Sequence, residues 1–268
     1  MIIYSLLGGK RGDSLHNVDL HVHTRISKGF DFDERVIDRL HSLGERRGLS
    51  AFALTEHIHA NDFWGMHALL QARHPYDGAS YDLGRGFRMF SGCEVTVAER
   101  VDFIVVGGLD AVRSLDGAFE APLSESYFPP GIQFLTEARR RKLLVISAHP
   151  FREGKRIAKL PLDEVFARVH AVEVNGRDYG TEKKVAALAH EAGLPVSGGS
   201  DAHFYLQVGI RSTIVPCANV SLDALLHAFE ERTTKAHCKP YAPAVVQLCQ
   251  EIKRVMKMRN PAAAAAAA

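Results

Sequence analysis

The sequence has few cysteines, and they are not arranged as a disulfide framework or a thiolate metal site. Its 268 residues include four of them, which stand far apart without any Cys-x-x-Cys pair: Cys93, Cys217, Cys238 and Cys249. Disulfide-rich secreted scaffolds and zinc-thiolate sites need closely spaced cysteines. The sequence therefore argues against both classes and favours the reducing cytoplasm.

Long apolar runs and an excess of charge of one sign are also lacking. No stretch reaches the ~18 apolar residues of a membrane helix, and residues 1–7 lack the basic start of a signal sequence. Lys and Arg total 33 against 31 Asp and Glu, a net charge of +2, so no general basic surface is expected. We predict a cytoplasmic protein without membrane association, whose composition allows nucleic acid as a partner but does not favour it. The oligomeric state stays open.

Apolar strand patterns alternate with helical patterns along the chain, which is typical of an α/β barrel. The length suits one barrel of roughly 250 residues, and 46% apolar residues supply a large core. We predict a parallel sheet closed into a TIM-like barrel. One domain is predicted over residues 1–258, including a C-terminal helix, followed by a tail over 259–268. Two long connections, 58–86 and 107–131, are predicted as loops, and we interpret the first as an active-site insertion.

Histidine is abundant, with 14 in the chain. His21 and His23 alternate in the first predicted strand, so both side chains face one side of it and can share a metal ion. An isolated His-x-His equally fits a half-exposed strand. Further candidate ligands follow other predicted strands, where the chemistry of barrels gathers; they are His57, Glu94, His149, Asp201 and His203. Together the set predicts a metal centre.

These ligands exceed the needs of a single catalytic zinc, which typically takes about three protein ligands. The set predicts two or three divalent ions, and its mixed nitrogen and oxygen donors admit Zn, Mn or Fe. Glu94 or Asp201 can bridge two ions with its two oxygens, and paired ions suit hydrolysis of a phosphate ester by a bridging hydroxide. We predict that Glu94, Asp201 and His203 hold that hydroxide.

Five segments resemble the successive motifs of the PHP family, named for polymerase and histidinol phosphatase. They are Asp19–Thr24, Thr55–His57, Gly92–Glu94, His149–Pro150 and Gly199–His203. The resemblance, over about residues 17–215, implies a distorted (β/α)7 barrel, a two- or three-metal centre and phosphoesterase activity. It also implies a division of the ligands: His21, His23, Glu94 and Asp201 on one ion, Glu94 and His149 on a second, and His57 with His203 on a third.

Two positions depart from the family pattern. Lys28 stands where many members carry a further ligand, so the third ion is expected to be weak, absent or partly replaced by the lysine ammonium unless Asp31 or Asp33 reaches the site. Many members also have a histidine in the strand after the glutamate motif, where this chain offers only Asp102. The set of ligands around the second ion is therefore open.

Four cations on the predicted active face are candidates for binding a substrate phosphate, since Arg can grip phosphate in a bidentate fork. They are Arg25, Lys28, Arg152 and Arg177. A solvated loop cation is the alternative for each of them. Glu56 and Asn175 are predicted to orient ligating imidazoles or substrate, and Glu173 is either a similar residue or a strand carboxylate paired with a loop cation.

The leading hypothesis is a metal-dependent phosphomonoesterase that acts through a metal-bound hydroxide on a small phosphorylated molecule, histidinol phosphate being one candidate. The alternatives are a nuclease or proofreading-type phosphodiesterase, an amidohydrolase-type metal hydrolase, and a metal-binding barrel with reduced catalysis. Glu56, Glu94 and the pairing of Asp201 with His203 argue against the amidohydrolase. Neither a basic groove nor an aromatic platform for single strands supports the nuclease.

Overall fold

The computed structural model describes residues 14–26, 30–124 and 126–259. Residues 1–7, Lys28 and the predicted tail after Arg259 lie outside these ranges. Within them the strands are Ser14–Val22 (β1), Ala51–Leu54 (β2), Ser80–Asp82 (β3), Arg88–Thr96 (β4), Asp102–Val106 (β5), Leu144–Ser147 (β6), Ala171–Asn175 (β7), Val196–Gly199 (β8), Arg211–Cys217 (β9) and Lys235–Cys238 (β10). The helices are Arg35–Arg46 (α1), Phe63–Arg73 (α2), Leu109–Arg113 (α3), Gly131–Arg140 (α4), Leu162–Phe166 (α5), Glu182–Glu191 (α6), Leu222–Glu230 (α7) and Ala242–Arg259 (α8).

One sheet carries the fold and rolls into a nearly closed barrel. Its strand order is β10-β9-β1-β2-β4-β5-β6-β7-β8, with β3 beside β4. The two sides approach each other just beyond β1 and β8, where the backbone N–H of His23 donates to the carbonyl of Ala202 at 2.8 Å. Lower in the barrel, the N–H of Gly198 donates to Thr213 Oγ1 at 2.8 Å. The predicted α/β barrel is therefore confirmed.

The expectation of a purely parallel sheet is wrong, because two strands in the barrel wall run in reverse. β1, β2 and β4 pair in parallel, as do β6, β7 and β8. β5 lies antiparallel to both β4 and β6, and β9 lies antiparallel to β1 and β10. Only residues 97–101 separate β4 from β5, and a parallel crossover needs about a dozen residues or more. The short connection forces a hairpin.

The two long connections are also more ordered than the sequence interpretation allowed. Residues 58–86 contain α2 and β3, and Phe63, Met66, His67 and Leu70 line the buried face of α2. That spacing of three, four and seven residues is the helical signature. Residues 107–131 contain α3 and a 3-10 turn at Asp116–Ala118. The prediction of two loops is wrong.

Helices pack against both faces of the sheet. α1 contributes Ile37 and Leu40, and the chain leaves this helix at Gly48, whose φ of +79° is a conformation that glycine adopts without a steric penalty. On the opposite face, α7 contributes Leu225 and Phe229 to a second buried cluster, which holds Ala51 and Ala53 of β2, whereas the cluster around α1 holds Phe52 and Leu54. Among the described residues, no helix combines the length and the apolar character needed to cross a membrane.

Candidate metal centre

Strand direction brings the predicted ligands to one rim of the barrel. Because β1, β2, β4, β6 and β8 run the same way, their carboxyl ends meet at this rim. The rim carries the residues that lie at or just after these ends: His21, His23, His57, Glu94, His149, Asp201 and His203. All of them are buried except His57 and His203, which are partly exposed. Residues far apart in the chain thus surround one space.

His21 and His23 form the centre of this cluster. The ring Nδ1 of His21 lies 2.8 Å from Glu173 Oε1, and the Nδ1 of His23 lies 3.3 Å from Glu56 Oε1. A carboxylate is an acceptor only, so each imidazole donates from Nδ1 and turns its Nε2 toward the other ring. The two Nε2 atoms are 3.0 Å apart. Nitrogen lone pairs cannot face each other at this distance unless a cation or a proton lies between or beside them.

His203 and His57 extend the cluster on one side. The Nδ1 of His203 donates to the carbonyl oxygen of Arg25 at 2.9 Å, which again leaves Nε2 as the free acceptor. The His203 ring stacks on that of His23, with centroids 4.2 Å apart. The Nδ1 of His57 lies 2.9 Å from Glu94 Oε2. A third group of potential nitrogen donors therefore adjoins the central pair.

Two carboxylates face the same imidazoles. Glu94 Oε2 lies 3.5 Å from His23 Nε2 and 3.8 Å from His21 Nε2, while its Oε1 lies 2.9 Å from His149 Nε2. Asp201 Oδ1 lies 3.6 Å from His23 Nε2 and 3.3 Å from His203 Nε2. Glu94 therefore spans the space between the central pair and His149, and Asp201 spans the space between the central pair and His203.

The donor set fits divalent cations. Ligand atoms within 4.8 Å of one another form three groups, namely His21 with His23 and Asp201, His21 with Glu94 and His149, and His23 with His57 and His203. Each group mixes imidazoles with a carboxylate or lies next to one, as Zn, Mn and Fe sites do. Two of these groups contain pairs that the PHP resemblance also assigns to one ion, namely Glu94 with His149 and His57 with His203.

Two of the candidate ligands lie on strained backbone. His149 has a φ of +27° and Asp201 a φ of +52°, in the left-handed region that side chains other than glycine rarely adopt. Such conformations cost about 1–3 kcal/mol each and persist where the surroundings impose them. Here the N–H of His149 donates to Glu173 Oε2 at 2.9 Å. The fold accepts strain at two points that aim side chains into the cluster.

Buried carboxylates behind the histidines fix their orientation. Glu56 accepts from the N–H groups of Thr24, Arg25 and His57 in addition to His23 Nδ1. Burial opposes ionisation of Glu56, but its hydrogen bond with His23 and nearby imidazoles hold its pKa below the usual range. Glu56 thus lies where the sequence placed an orienting residue.

Glu173 and Asn175 form a second support, on β7. Glu173 contacts His21 and the backbone of His149, and Asn175 Nδ2 donates to Glu173 Oε2 at 3.0 Å. Of the two interpretations of Glu173, the structure favours the orienting residue, because its partners are imidazole, amide and backbone groups rather than a loop cation. The indication of this role in the sequence was Glu173 itself, a single charged residue in the otherwise uncharged strand Ala171–Asn175, all of whose residues are buried.

The predicted phosphate-binding cations fall into different positions. Arg152 Nη2 lies 2.7 Å from Asp201 Oδ2, and its guanidinium also contacts Asp178 and Asn175. Arg177 Nη1 lies 3.2 Å from Asp201 Oδ1. Burial opposes ionisation of Asp201, but the charges of Arg177 and Arg152 hold its pKa well below the usual range. Both arginines therefore reach the cluster through Asp201.

The other two predicted cations lie elsewhere. The Arg25 guanidinium is buried and donates to the carbonyl of Asn61, so this residue meets the cluster through its backbone contact with His203. Lys28 lies outside the described residues. A lysine that the sequence analysis missed is Lys253 on α8, where burial, together with the charges of Arg177 and Lys257, lowers the pKa to about 8. No local pattern places the C-terminal helix beside the rim.

Comparison with known proteins supports this architecture. A family model described as PHP-associated matches residues 182–234, and a search of curated proteins found no match. Among solved structures, PsfC from Pseudomonas syringae PB-5123 has a TM-score of 0.78 and 24% identity, with 91% of this chain and 99% of PsfC covered.

Two further structures share the fold at lower identity. The lesion-specific endonuclease PfuEndoQ from Pyrococcus furiosus has a TM-score of 0.65 and 17% identity, with 83% of this chain and 58% of the endonuclease covered. A two-domain protein from Bacteroides vulgatus, described as containing a predicted PHP-like metal-dependent phosphoesterase, has a TM-score of 0.61 and 19% identity over 85% of this chain and 66% of its own. The family-model match and the shared architecture confirm the resemblance seen in the motifs, and the chain has a PHP-type fold.

Proposed function

We propose that this protein is a metal-dependent phosphoesterase that hydrolyses a small phosphomonoester, in the manner of a histidinol phosphatase. The observation that carries the proposal is the pair of Nε2 atoms of His21 and His23, 3.0 Å apart and faced by Glu94 and Asp201. A buried cluster made of acceptors needs cations to be stable, because unpaired acceptors and charges are costly to bury.

The chain's own residues would hold two or three divalent ions, of Zn, Mn or Fe. The proposed ligands are His21, His23, His57, Glu94, His149, Asp201 and His203. When bound, such ions lower the pKa of water and withdraw charge from a phosphoryl group. Glu94, Asp201 and His203 border the space between the ligand groups, and we assign to them the position of the attacking hydroxide.

The substrate phosphate would meet the cations at the rim. Arg152 already has Asp178, Asn175 and Asp201 as partners, so its main role is to hold Asp201 in place. Arg177 donates from Nη1 to Asp201, and the other nitrogens of its planar guanidinium can bind a phosphate oxygen. Lys253 adds a positive charge close to both arginines. Arg25 and Lys28 stay as further proposed contacts.

A phosphodiesterase that acts on nucleic acid is the second candidate. It is favoured by the shared fold with PfuEndoQ and with an Endonuclease Q structure that contains a duplex with an abasic lesion. The net charge of +2 gives this chain no general attraction to a polyanion. We therefore rank the small phosphomonoester first.

The test is a phosphate-release assay on protein stripped of metal and reloaded with Zn, Mn or Fe. The panel contains an aryl phosphate, histidinol phosphate, other small phosphomonoesters, a bis-aryl phosphodiester and an abasic oligonucleotide. Asp201→Asn removes a proposed ligand, and Asp223→Asn, at an exposed position on α7, is its matched control. We expect metal-dependent monoester hydrolysis that Asp201→Asn abolishes and Asp223→Asn retains. Hydrolysis of the oligonucleotide alone would establish the second candidate, and inactivity with every metal would refute both.

A further inference from the structure

The reversed strand β5 brings a further carboxylate to the rim. A search of the carboxyl ends of the parallel strands alone does not find it. Since β5 runs antiparallel to β4 and β6, its first residue, Asp102, lies at the same end of the barrel as the last residues of its neighbours. Asp102 pairs with Thr96, two residues beyond Glu94 on the same face of β4. Its carbonyl accepts from the N–H of Ala148, next to His149. Asp102 therefore lies between two candidate ligands.

The two carboxylate oxygens of Asp102 contact different residues, one His149 and the other a lysine. Its Oδ2 lies 3.6 Å from His149 Nε2, the nitrogen that is 2.9 Å from Glu94. Its Oδ1 lies 2.8 Å from the ammonium of Lys155, which also lies 3.4 Å from Thr96 Oγ1. Asp102 is 3% exposed, and a carboxylate buried this deeply is stable only when it is paired with positive charge and hydrogen-bonded. Lys155 meets both needs at Oδ1, whereas the contact of Oδ2 is with His149 Nε2.

We propose that Asp102 is a third protein ligand, through Oδ2, of the ion held by Glu94 and His149, and that Lys155 is its positioning residue. This inference rests on the proposed metal-dependent function and assigns the position left open where related chains carry a histidine. The ammonium of Lys155 binds Oδ1 and leaves Oδ2 facing His149 Nε2, the nitrogen that also contacts Glu94. It also balances the extra negative charge that a carboxylate brings in place of a neutral imidazole.

An oxygen donor at this position changes which ion the site prefers. Carboxylate ligands suit Mn²⁺ and other hard ions, whereas imidazole suits Zn²⁺. With Asp102 as a ligand, the ion at Glu94 and His149 has two carboxylate ligands, so it is expected to favour Mn²⁺ relative to a site in which an imidazole takes the place of Asp102. The substitution Asp102→His should therefore keep the site and move its preference toward Zn²⁺.

The first experiment measures metal content and affinity of the full chain, by elemental analysis after loading and by competition with a chelator. Asp102→Asn keeps the shape and removes the charge, and Asp110→Asn, at an exposed position in α3, is the matched control. Loss of the partner of a metal ligand weakens affinity about 10–100-fold, and loss of a ligand itself should cost no less. We expect Asp102→Asn to lose one ion per chain at limiting metal, and Asp102→His to regain it with an increased ratio of Zn to Mn affinity. Unchanged stoichiometry and affinity in Asp102→Asn would overturn the assignment.

The second experiment separates positioning by Lys155 from direct contact with substrate. Lys155→Gln is compared with Lys159→Gln, whose lysine Nζ donates to a backbone carbonyl at the surface. If Lys155 acts through Asp102, its loss weakens binding of one ion about tenfold or more and leaves the KM for an aryl phosphate at saturating metal unchanged. A raised KM with unchanged metal affinity would refute the positioning role.

Metal binding by the wild-type protein separates failure of the proposed function from failure of the role of Asp102. Wild-type protein that binds no metal would refute the proposed function itself. Wild-type protein that binds two or three ions, together with Asp102→Asn that binds the same number as tightly, would refute only the role of Asp102. Thermal unfolding of every metal-free variant identifies substitutions that act by destabilising the fold, and Asp102→His, which refills the position, keeps the ligand assignment testable in that case.

Discussion

The substitution Glu173→Gln tests whether the buried carboxylates set the protonation of the histidine cluster. Glu173 is 1% exposed, and it accepts three hydrogen bonds, from His21 Nδ1 at 2.8 Å, from the N–H of His149 at 2.9 Å and from Asn175 Nδ2 at 3.0 Å. Glutamine has the same shape but carries one acceptor and one donor group. It cannot satisfy all three donors in either orientation.

The effect of Glu173→Gln on metal binding depends on which way the glutamine amide is oriented. With its oxygen toward His21, the amide NH₂ faces two donors, from His149 and Asn175, and at least one buried charge-assisted hydrogen bond of about 1.5–3 kcal/mol is lost. With its NH₂ toward His21, the imidazole must accept on Nδ1 and carry its proton on Nε2, which directs a proton toward His23 where a cation is proposed. Both orientations weaken metal binding, and we expect a loss of about 10–100-fold in affinity and in activity.

The assay is chelator competition on metal-free protein, with the exposed Glu191→Gln on α6 as the matched control. Thermal unfolding without metal measures the structural part of the effect. Glu173→Gln should lower the affinity for one or more ions, while Glu191→Gln should match the wild type. If Glu173→Gln binds every ion as tightly as the wild type, Glu173 does not control the His21 tautomer and the reasoning fails.

Three further predictions concern the packing, the pH dependence and the rim charge. Gly199→Ala places a methyl group 2.4 Å from Glu173 Oε1 and 2.5 Å from His21 Cβ, so it should lower the free energy of unfolding by about 1–3 kcal/mol and weaken metal binding. Burial lowers the pKa of His67 to about 3 in the folded protein, against 6.5 for an exposed histidine. Below pH 6.5 the unfolded chain therefore binds a proton at His67 that the folded chain does not. Stability should therefore fall by about 1.6 kcal/mol from this group between pH 6.5 and pH 5, and His67→Gln should remove that part of the slope in urea unfolding. Lys253 has a pKa of about 8 and is charged below it, so the KM for a phosphomonoester should rise as the pH passes 8; Lys253→Arg should keep KM low.

A different result would contradict each of these three predictions. A Gly199→Ala protein with wild-type melting temperature and metal affinity would show that His21 and Glu173 move apart freely. Identical pH slopes in the wild type and His67→Gln would place the acid sensitivity elsewhere. A KM that rises above pH 8 to the same extent in Lys253→Arg would exclude this lysine as its source.

The sequence was sufficient to predict that the candidate ligands on parallel strands lie close together. His21 and His23 follow from strand alternation, and Glu94 and Asp201 from the rule that parallel strands end at one rim. Both inferences depend on local pattern and strand direction alone, and the structure places Glu94 and Asp201 each 3.5–3.8 Å from the Nε2 atoms of His21 and His23.

The sequence was not sufficient for residues whose position depends on the direction of a strand or on the packing of distant elements. Asp102 lies at the start of a strand, and it joins the rim only because the turn at residues 97–101 reverses β5. Arg152 and Lys253 reach Asp201 and its surroundings through long flexible side chains and through the docking of α8. The edge strand β10 was missed because Lys235–Cys238 is partly exposed and has no apolar alternation.

The most direct test of the account is a crystal structure of the metal-loaded protein with anomalous scattering measured at the Mn or Zn absorption edge. The account predicts two or three anomalous peaks at the rim, one of them coordinated by Nε2 of both His21 and His23, with Glu94 and Asp201 as its oxygen ligands. An anomalous map without a peak between these imidazoles, from crystals grown with saturating metal, would contradict it.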